Sequence, residues 1–378
     1  MVRPYPQPSN QALSLLTAFR HGGEMKSNIV YFQDLRNVGV STTEIRGALE
    51  CCLKRLSRGV YSVIRRCDVR AHRRFSAFAT DVPWLEQHEA GLSSEPAHAR
   101  RYEEHLKHLR IVHYPHFRPD DIICGVSAAR LHRIGMFNEP DTSVSVFHPA
   151  ASTRTSELVR RRRLIAEEDI CTVEGLRVTT PARTVLDLRS ELGNAAGFAA
   201  MEQVLRRHML GDDEDRIFKL GYPPHLLDDV PQAQIDLFLS PIRRLAKGKM
   251  IASRLARLAS PLSESYAESQ AAFNLHLLGL HDFAQQVDII DRGRRLTRLD
   301  FLFREDRIAL YVDGTQKYVD GGFDVMSKES RQHNRLLAMG YKVVRFKFSE
   351  VHSPKLFSEK LFHQAPELRS RCSNRLIL

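Results

Sequence analysis

Apolar and polar positions change period several times along the chain, and each change marks an element. YFQDLRNVG spaces its apolar residues as a short helix does and stops at Gly39, the residue best suited to the left-handed cap of a helix end. Ser41, followed three residues later by Glu44, is a capping-box signature and opens a second helix, STTEIRGALEC. In LKRLSRGVYSVIRR, apolar and basic residues alternate about Arg58-Gly59, a strand period with glycine at the turn. Helix, tight turn, helix and basic hairpin is the order of a winged helix-turn-helix, predicted here over residues 25–68. In such a module the second helix enters the major groove and the hairpin touches phosphates. The candidate DNA contacts are Thr43 and Arg46 on the second helix, with Lys54, Arg55, Arg58, Arg65 and Arg66 on the hairpin. Arg70, Arg73 and Arg74 follow. A solvated basic hairpin in an unrelated small domain would carry the same pattern.

Residues 1–24, with Pro4, Pro6 and Pro8, read as a loose leader, and residues 69–100, weak in pattern, as a linker. His105, His108, His113 and His116 crowd the next stretch, but no cysteine or carboxylate completes a ligand set there, so they read as surface histidines. Residues 101–212 form a middle α+β domain: GVSAARLHRIG is a helix, TSVSVFHP a strand, and a two-stranded turn sits at Glu174-Gly175. TPARTVLDLRSEL is a helix capped by Thr180 with Pro181 at its first position, and FAAMEQVLRRHML is helical again. Residues 213–261 read as a basic helical linker, because Leu237 to Ser263 hold no acid but carry Arg243, Arg244, Lys247, Lys249, Arg254 and Arg257. Such a helix suits a phosphate backbone or plain solvent equally.

From residue 262 to 365 the order is αβββαβ, with residues 366–378 as a tail. RIALYVDG, nearly all apolar, suits a central strand. Asp300 lies in one strand and Asp313 at the end of the next. Two hard oxygen donors on neighbouring strands are what a Mg²⁺ site needs, with waters and phosphate completing the octahedron. Glu268, on the preceding helix with Glu264 four residues before it, could add a ligand or orient a metal-bound water. Lys317 could stabilise developing charge in phosphodiester hydrolysis. The same residues also suit structural work: Asp300 as a turn cap or arginine partner, Asp313-Gly314 as a turn.

Composition narrows the class. A hydrophobic fraction of 43% and a charged fraction of 27% over 378 residues describe a multidomain globular chain, not a disordered or fibrous one. No apolar run reaches membrane-spanning length and MVRPYPQPSN lacks a signal-peptide core, so the expectation is a cytoplasmic protein with no membrane partner. The balance of 56 basic against 45 acidic residues, net +11, favours a polyanionic partner, most often nucleic acid. Cys51, Cys52, Cys67, Cys124, Cys171 and Cys372 include no C-x-x-C pair, so they read as ordinary reduced thiols and not as a zinc site.

Two resemblances add to this reading. Glu268-Ser269, Leu299-Asp300-Phe301, Val312-Asp313-Gly314 with Lys317-Tyr318, Arg331 to Leu337, and Gly340 to Phe346 resemble the domain of unknown function related to very-short-patch-repair (Vsr) endonucleases, a branch of the PD-(D/E)XK nuclease-like superfamily. The resemblance implies an α/β nuclease-like domain in which Asp300 and Asp313 hold Mg²⁺ and Asp300, Asp313, Lys317 and Glu268 serve catalysis. The family's E-x-D-G stretch has a glutamate where this chain has Tyr311. Tyrosine, with a pKa of about 10, does not replace a carboxylate ligand at neutral pH. Either the remaining acids suffice, or cleavage is lost and DNA binding or a scaffold remains. The winged-helix pattern, GVSAARLHRIG and EGLRVTTPARTVLDL are together similar to AbiEi-type proteins, the antitoxin and transcriptional-regulator side of type IV toxin–antitoxin systems. That likeness implies DNA and a cognate nucleotidyltransferase-like toxin as partners. The stretch Thr180 to Asp187 carries it most strongly, and its residue types are also those of a helix start.

Overall fold

The computed structural model describes residues 26–92, 96–137, 143–211, 216–217, 221–313 and 322–373. The expected leader and Lys317 lie outside the described residues. The chain divides into two compact units, Met1–Pro119 and Asp120–Leu378.

In the first unit, β1 (Ile29–Tyr31) leads into α1 (Phe32–Asn37) and α2 (Thr42–Leu49), then β2 (Leu53–Ser57) and β3 (Val60–Val63). The sheet order is β1-β3-β2, antiparallel throughout. The local signals act as their chemistry dictates. Gly39 takes φ +76° at the end of α1, and the N–H of Val40 returns to the Leu35 carbonyl. Ser41 Oγ accepts the Glu44 N–H at 3.1 Å, while Glu44 accepts the Ser41 N–H at 2.6 Å, closing the capping box. Gly59 turns the hairpin at φ +79°.

Both faces of this small sheet are covered. On one, Val30, Leu53 and Val63 pack with Leu35, Ile45, Ala48 and Phe75. On the other, Ile29, Leu56, Val60 and Ile64 pack with Trp84, Tyr102, Leu106 and Leu109. The second layer comes from α3 (Val82–Gly91) and α4 (Pro96–Val112). Residues 69–100, expected as a linker, therefore supply structure: a 3₁₀ segment at Arg70–Phe78, all of α3 and the start of α4. Trp84 anchors them by stacking on Tyr102 and donating Nε1–H to Ser62 Oγ at 2.8 Å. Three of the expected surface histidines, His105, His108 and His113, are half-buried; His105 bonds Ser27 Oγ at 3.0 Å and His113 bonds the Tyr31 hydroxyl at 3.1 Å.

The second unit begins with a six-stranded mixed sheet in the order β6-β7-β5-β4-β9-β8. Its strands are β4 (Ile122–Ile123), β5 (Val144–His148), β6 (Thr153–Arg154), β7 (Leu158–Arg162), β8 (Ile170–Val173) and β9 (Leu176–Thr179). Helix α5 (Gly125–Leu131) follows β4; α6 (Pro181–Leu192) and α7 (Asn194–Leu210) follow β9. Short helices α8 (Val230–Gln234) and α9 (Ser240–Arg243) lead to α10 (Lys249–Leu258). A four-stranded sheet closes the unit: α11 (Tyr266–Leu278), β10 (Ala284–Asp291), β11 (Arg294–Phe303), β12 (Ile308–Asp313), α12 (Gly322–Ala338) and β13 (Lys342–Lys347). Its order is β10-β11-β12-β13, with only the last pair parallel, so the apolar strand β12 is interior as its sequence requires. Helices α13 (Phe348–His352) and α14 (Pro354–Gln364) complete the fold.

One core joins the two sheets. Phe198 of α7 meets Phe273 of α11 at 5.7 Å between ring centroids. Phe238, Ile242, Ala252 and Leu255 from residues 213–261 belong to the same core. The segment expected as a basic linker is thus a packed layer whose helices bury an apolar stripe. The expected tail also packs. Leu368 is buried, and Ser373 donates its N–H to the Gly279 carbonyl at 3.0 Å. Gly279, at φ +80°, admits that contact because a Cβ there would stand 2.1 Å from the Ser373 carbonyl oxygen. Among the described residues no helix is long and apolar enough to cross a membrane.

Candidate nucleic-acid interface and carboxylate cluster

Helix α2 buries Ile45 and Ala48 and turns Thr43 and Arg46 outward, three residues apart on one face. The capping box fixes where the helix starts, and so fixes that rotation. On the adjoining hairpin Arg55 and Arg58 are exposed and Lys54 half-buried; Arg65 and Arg66, just past β3, are exposed too. Arg55 Nε reaches the Ser57 carbonyl at 3.4 Å, across the irregular step between Arg55 and Ser57 in the β2–β3 ladder. Lys54 and Arg65 stand close enough to His88 to help depress its pKa, after the larger effect of burial. Arg74 donates to the Gly39 carbonyl, tying the basic segment after the hairpin to the turn between α1 and α2. All seven residues expected to meet DNA lie on α2, the hairpin and the three residues that follow it.

The second expected site lies on the four-stranded sheet. Asp300 of β11 accepts the Val312 N–H at 2.7 Å. Asp313, the last residue of β12, accepts from Arg345 of β13 at 3.0 Å. Arg345 also stands over the Tyr311 ring, 4.8 Å from its centroid. The Tyr311 hydroxyl turns to Thr297 Oγ1 at 3.0 Å, and burial, followed by the nearby Asp300 charge among other effects, raises its pKa. Glu268 is 9% exposed and receives three donors. These are the Glu264 N–H at 2.9 Å, Ser265 Oγ at 2.8 Å and Gln286 Nε2 at 2.8 Å. Burial raises its pKa, and the same donors pull it back down. Glu264 itself precedes the Ser265 cap, so the expected helical Glu264/Glu268 face does not form.

The donor chemistry of Asp300, Asp313 and Glu268 suits Mg²⁺. Each carboxylate nevertheless already answers to donors of its own chain, and Glu268 to three of them. Sequence reasoning missed Arg345 because its approach to Asp313 depends on the parallel β12–β13 register, which sets Tyr311 opposite Arg345.

The middle part holds a buried ionic network. Thr180 Oγ1 accepts the Arg183 N–H at 3.3 Å, the cap read from the sequence. Arg183 then bridges two buried carboxylates, Asp169 at 3.2 Å and Asp187 at 3.2 Å. Arg244 of the acid-free segment reaches Asp169 at 2.5 Å, and Asp121 and Arg160 form a further buried pair at 2.6 Å. A cleft of about 500 Å³ opens against this network, lined among others by Ser145, Phe147, Arg161, Arg163, Asp187 and Glu191. Burial pushes the Asp187 carboxyl up to about 6, against the pull of Arg183.

A further cluster was missed. Cys51, Cys52, Cys67 and His72 bring four ligand atoms within 4.8 Å of one another. A search for paired C-x-x-C motifs passes over it; an adjacent cysteine pair followed by Cys67 and His72 was the available signal.

No curated protein matches the chain. Residues 122–217, from β4 through α7, match the family model of the AbiEi antitoxin C-terminal domain.

Proposed function

We propose that this chain is a DNA-binding regulator of the AbiEi antitoxin kind. In this reading it acts in the cytoplasm beside a nucleotidyltransferase-like toxin, and its first unit is the winged helix-turn-helix that holds DNA. The observation that carries it is the set of exposed residues on α2 and the hairpin that follows it: Thr43 and Arg46 face outward, and Arg55, Arg58, Arg65 and Arg66 are exposed. The net charge of +11 and the match of residues 122–217 to an antitoxin domain support the same reading. The roles are those a winged helix would assign. Thr43 and Arg46 would read base edges, and the hairpin cations would hold phosphates and set the register. The test is a gel shift on DNA from the chain's own promoter region, across a salt series. Strong, salt-steep binding that Arg58→Glu with Arg65→Glu weakens supports the reading; unchanged affinity in that double variant removes it.

A second reading, a Mg²⁺-dependent DNA endonuclease of PD-(D/E)XK type, draws on the αβββαβ order and on Asp300 and Asp313 in neighbouring strands. In it those two acids hold the metal, Glu268 orients water and Lys317 supports the transition state. The bonds that occupy Asp300, Asp313 and Glu268, and Tyr311 in place of a carboxylate, favour a nuclease-like scaffold without cleavage. Nicking of supercoiled DNA by the wild type with Mg²⁺, absent in Asp300→Ala with Asp313→Ala, would reverse that preference.

A further inference from the structure

The geometry points to a structural Zn²⁺ site in the first unit, with Cys51, Cys52, Cys67 and His72 as its ligands. Cys51 Sγ stands 3.7 Å from Cys67 Sγ, and His72 Nδ1 stands 3.1 Å from Cys51 Sγ and 3.5 Å from Cys67 Sγ. Zinc bonds of about 2.3 Å to sulfur and about 2.0–2.1 Å to nitrogen, set tetrahedrally, put sulfurs about 3.8 Å apart and sulfur about 3.5 Å from nitrogen. Three ligand atoms from three separate segments therefore already stand near the edges of such a tetrahedron. Cys52 Sγ makes the fourth corner, within 4.8 Å of the others.

The surroundings are those of a closed site. Cys52 and His72 are buried, and Cys51 and Cys67 half-buried. Gly47 of α2 gives the imidazole its place: a Cβ there would stand 3.2 Å from His72 Nε2. Four protein ligands leave no open position for a substrate, which is the pattern of structural zinc and not of catalytic zinc. Binding releases three thiol protons to solvent and leaves Zn²⁺ with three thiolates and one neutral imidazole, a net charge of −1. Soft thiolates with imidazole select zinc over Mg²⁺ or Ca²⁺.

The ligands also indicate what the metal would do. Cys51 and Cys52 follow the last turn of α2, Cys67 follows β3, and His72 sits in the 3₁₀ segment Arg70–Phe78. Zinc would clamp the stretch from Arg65 to Arg74, with its exposed Arg65, Arg66, Arg70, Arg73 and Arg74, onto the end of α2. That clamp is independent of what the basic surface binds.

The test is elemental analysis of the full chain purified without chelator, followed by Co²⁺ titration of the reduced, metal-free protein. About one zinc per chain is expected, with thiolate-to-cobalt charge-transfer bands and the intense visible bands of tetrahedral Co²⁺. Cys51→Ser with Cys67→Ser should lower metal content about tenfold or more, while Cys171→Ser, outside the cluster, leaves it unchanged. The wild-type Co²⁺ spectrum decides the question even where the double variant fails to fold. A chain that purifies without zinc and gives no such spectrum overturns the proposal. So does a Cys51–Cys67 disulfide in place of metal, or full zinc content in the double variant.

Discussion

Asp300 Oδ2 accepts the main-chain N–H of Val312 at 2.7 Å, just beyond the point where β11 and β12 stop pairing. The ladder runs from Phe303 opposite Ile308 to Phe301 opposite Leu310 and goes no further. The carboxylate thus takes over from a strand carbonyl for a donor of the buried Val312. Asp300→Ala leaves that donor unsatisfied and is expected to cost about 1–3 kcal/mol of stability. Asp300→Asn keeps an acceptor oxygen and should cost less than half as much. Urea unfolding of the two variants checks this, and equal losses would show that the Val312 bond contributes nothing.

The basic surface predicts a distinctive salt response. Each cation removed from a phosphate lowers the slope of log affinity against log salt by about 1. Arg58→Glu with Arg65→Glu should therefore flatten the salt dependence as well as weaken binding, and do so alike on every DNA sequence. Arg46→Ala, on the outward face of α2, should instead relax preference at one position of the target by about 1–3 kcal/mol. Binding measured on target and scrambled DNA at several salt concentrations separates the two. A double variant with an unaltered slope would mean that neither arginine meets a phosphate.

Arg183 carries the buried charge balance of the middle part. It lies between Asp169 and Asp187, all three nearly inaccessible to solvent. Removing it leaves the two buried carboxylates to the partly exposed Arg244 and Arg163 alone, so Arg183→Ala is expected to cost about 3–5 kcal/mol. Thr180→Ala removes only the helix cap and should cost about 1 kcal/mol. Denaturant midpoints rank the two, and a milder effect for Arg183 would mean that Arg244 and Arg163 already hold the acids.

Local signals were legible because their causes are local. The Ser41–Glu44 box, the Gly59 turn, the Thr180 cap and the order αβββαβ each depend on a few neighbouring residues, and each is present as read. What escaped depends on distance. Trp84 gives no helical or strand signal that announces a partner sheet, so residues 69–100 read as padding, while Leu106, which packs in the same core, fell in the stretch read as the middle domain. Phe238 and Leu255 sit among six cations that dominate the composition of their segment and hide its apolar stripe. The carboxylates were found as residues, but their bonds to Val312, Arg345 and Gln286 come from strand register and tertiary packing. The Cys51–His72 cluster needs three segments brought together by the hairpin, and no spacing rule for zinc motifs anticipates it.

Glu202 of α7, 1% exposed, sets a pH dependence. Its Oε1 accepts the Ser260 N–H at 2.9 Å, and burial pushes the carboxyl up to about 7, the Ser260 bond partly opposing it. The nearby Glu268 charge pushes the same way as burial. The folded chain thus binds this proton more tightly than the unfolded chain, where the pKa is about 4.3. The group weighs least on stability below the unfolded value, and its penalty grows as pH rises toward the folded value, where the buried carboxyl ionises. Glu202→Gln keeps an acceptor for Ser260 and cannot ionise. Relative to the wild type it should gain about 2–3 kcal/mol of stability between pH 5 and pH 8. Urea unfolding of both proteins across that range measures the difference directly. A difference that stays constant with pH would mean that Glu202 is already ionised in the fold at pH 5, with its charge compensated by groups other than Ser260.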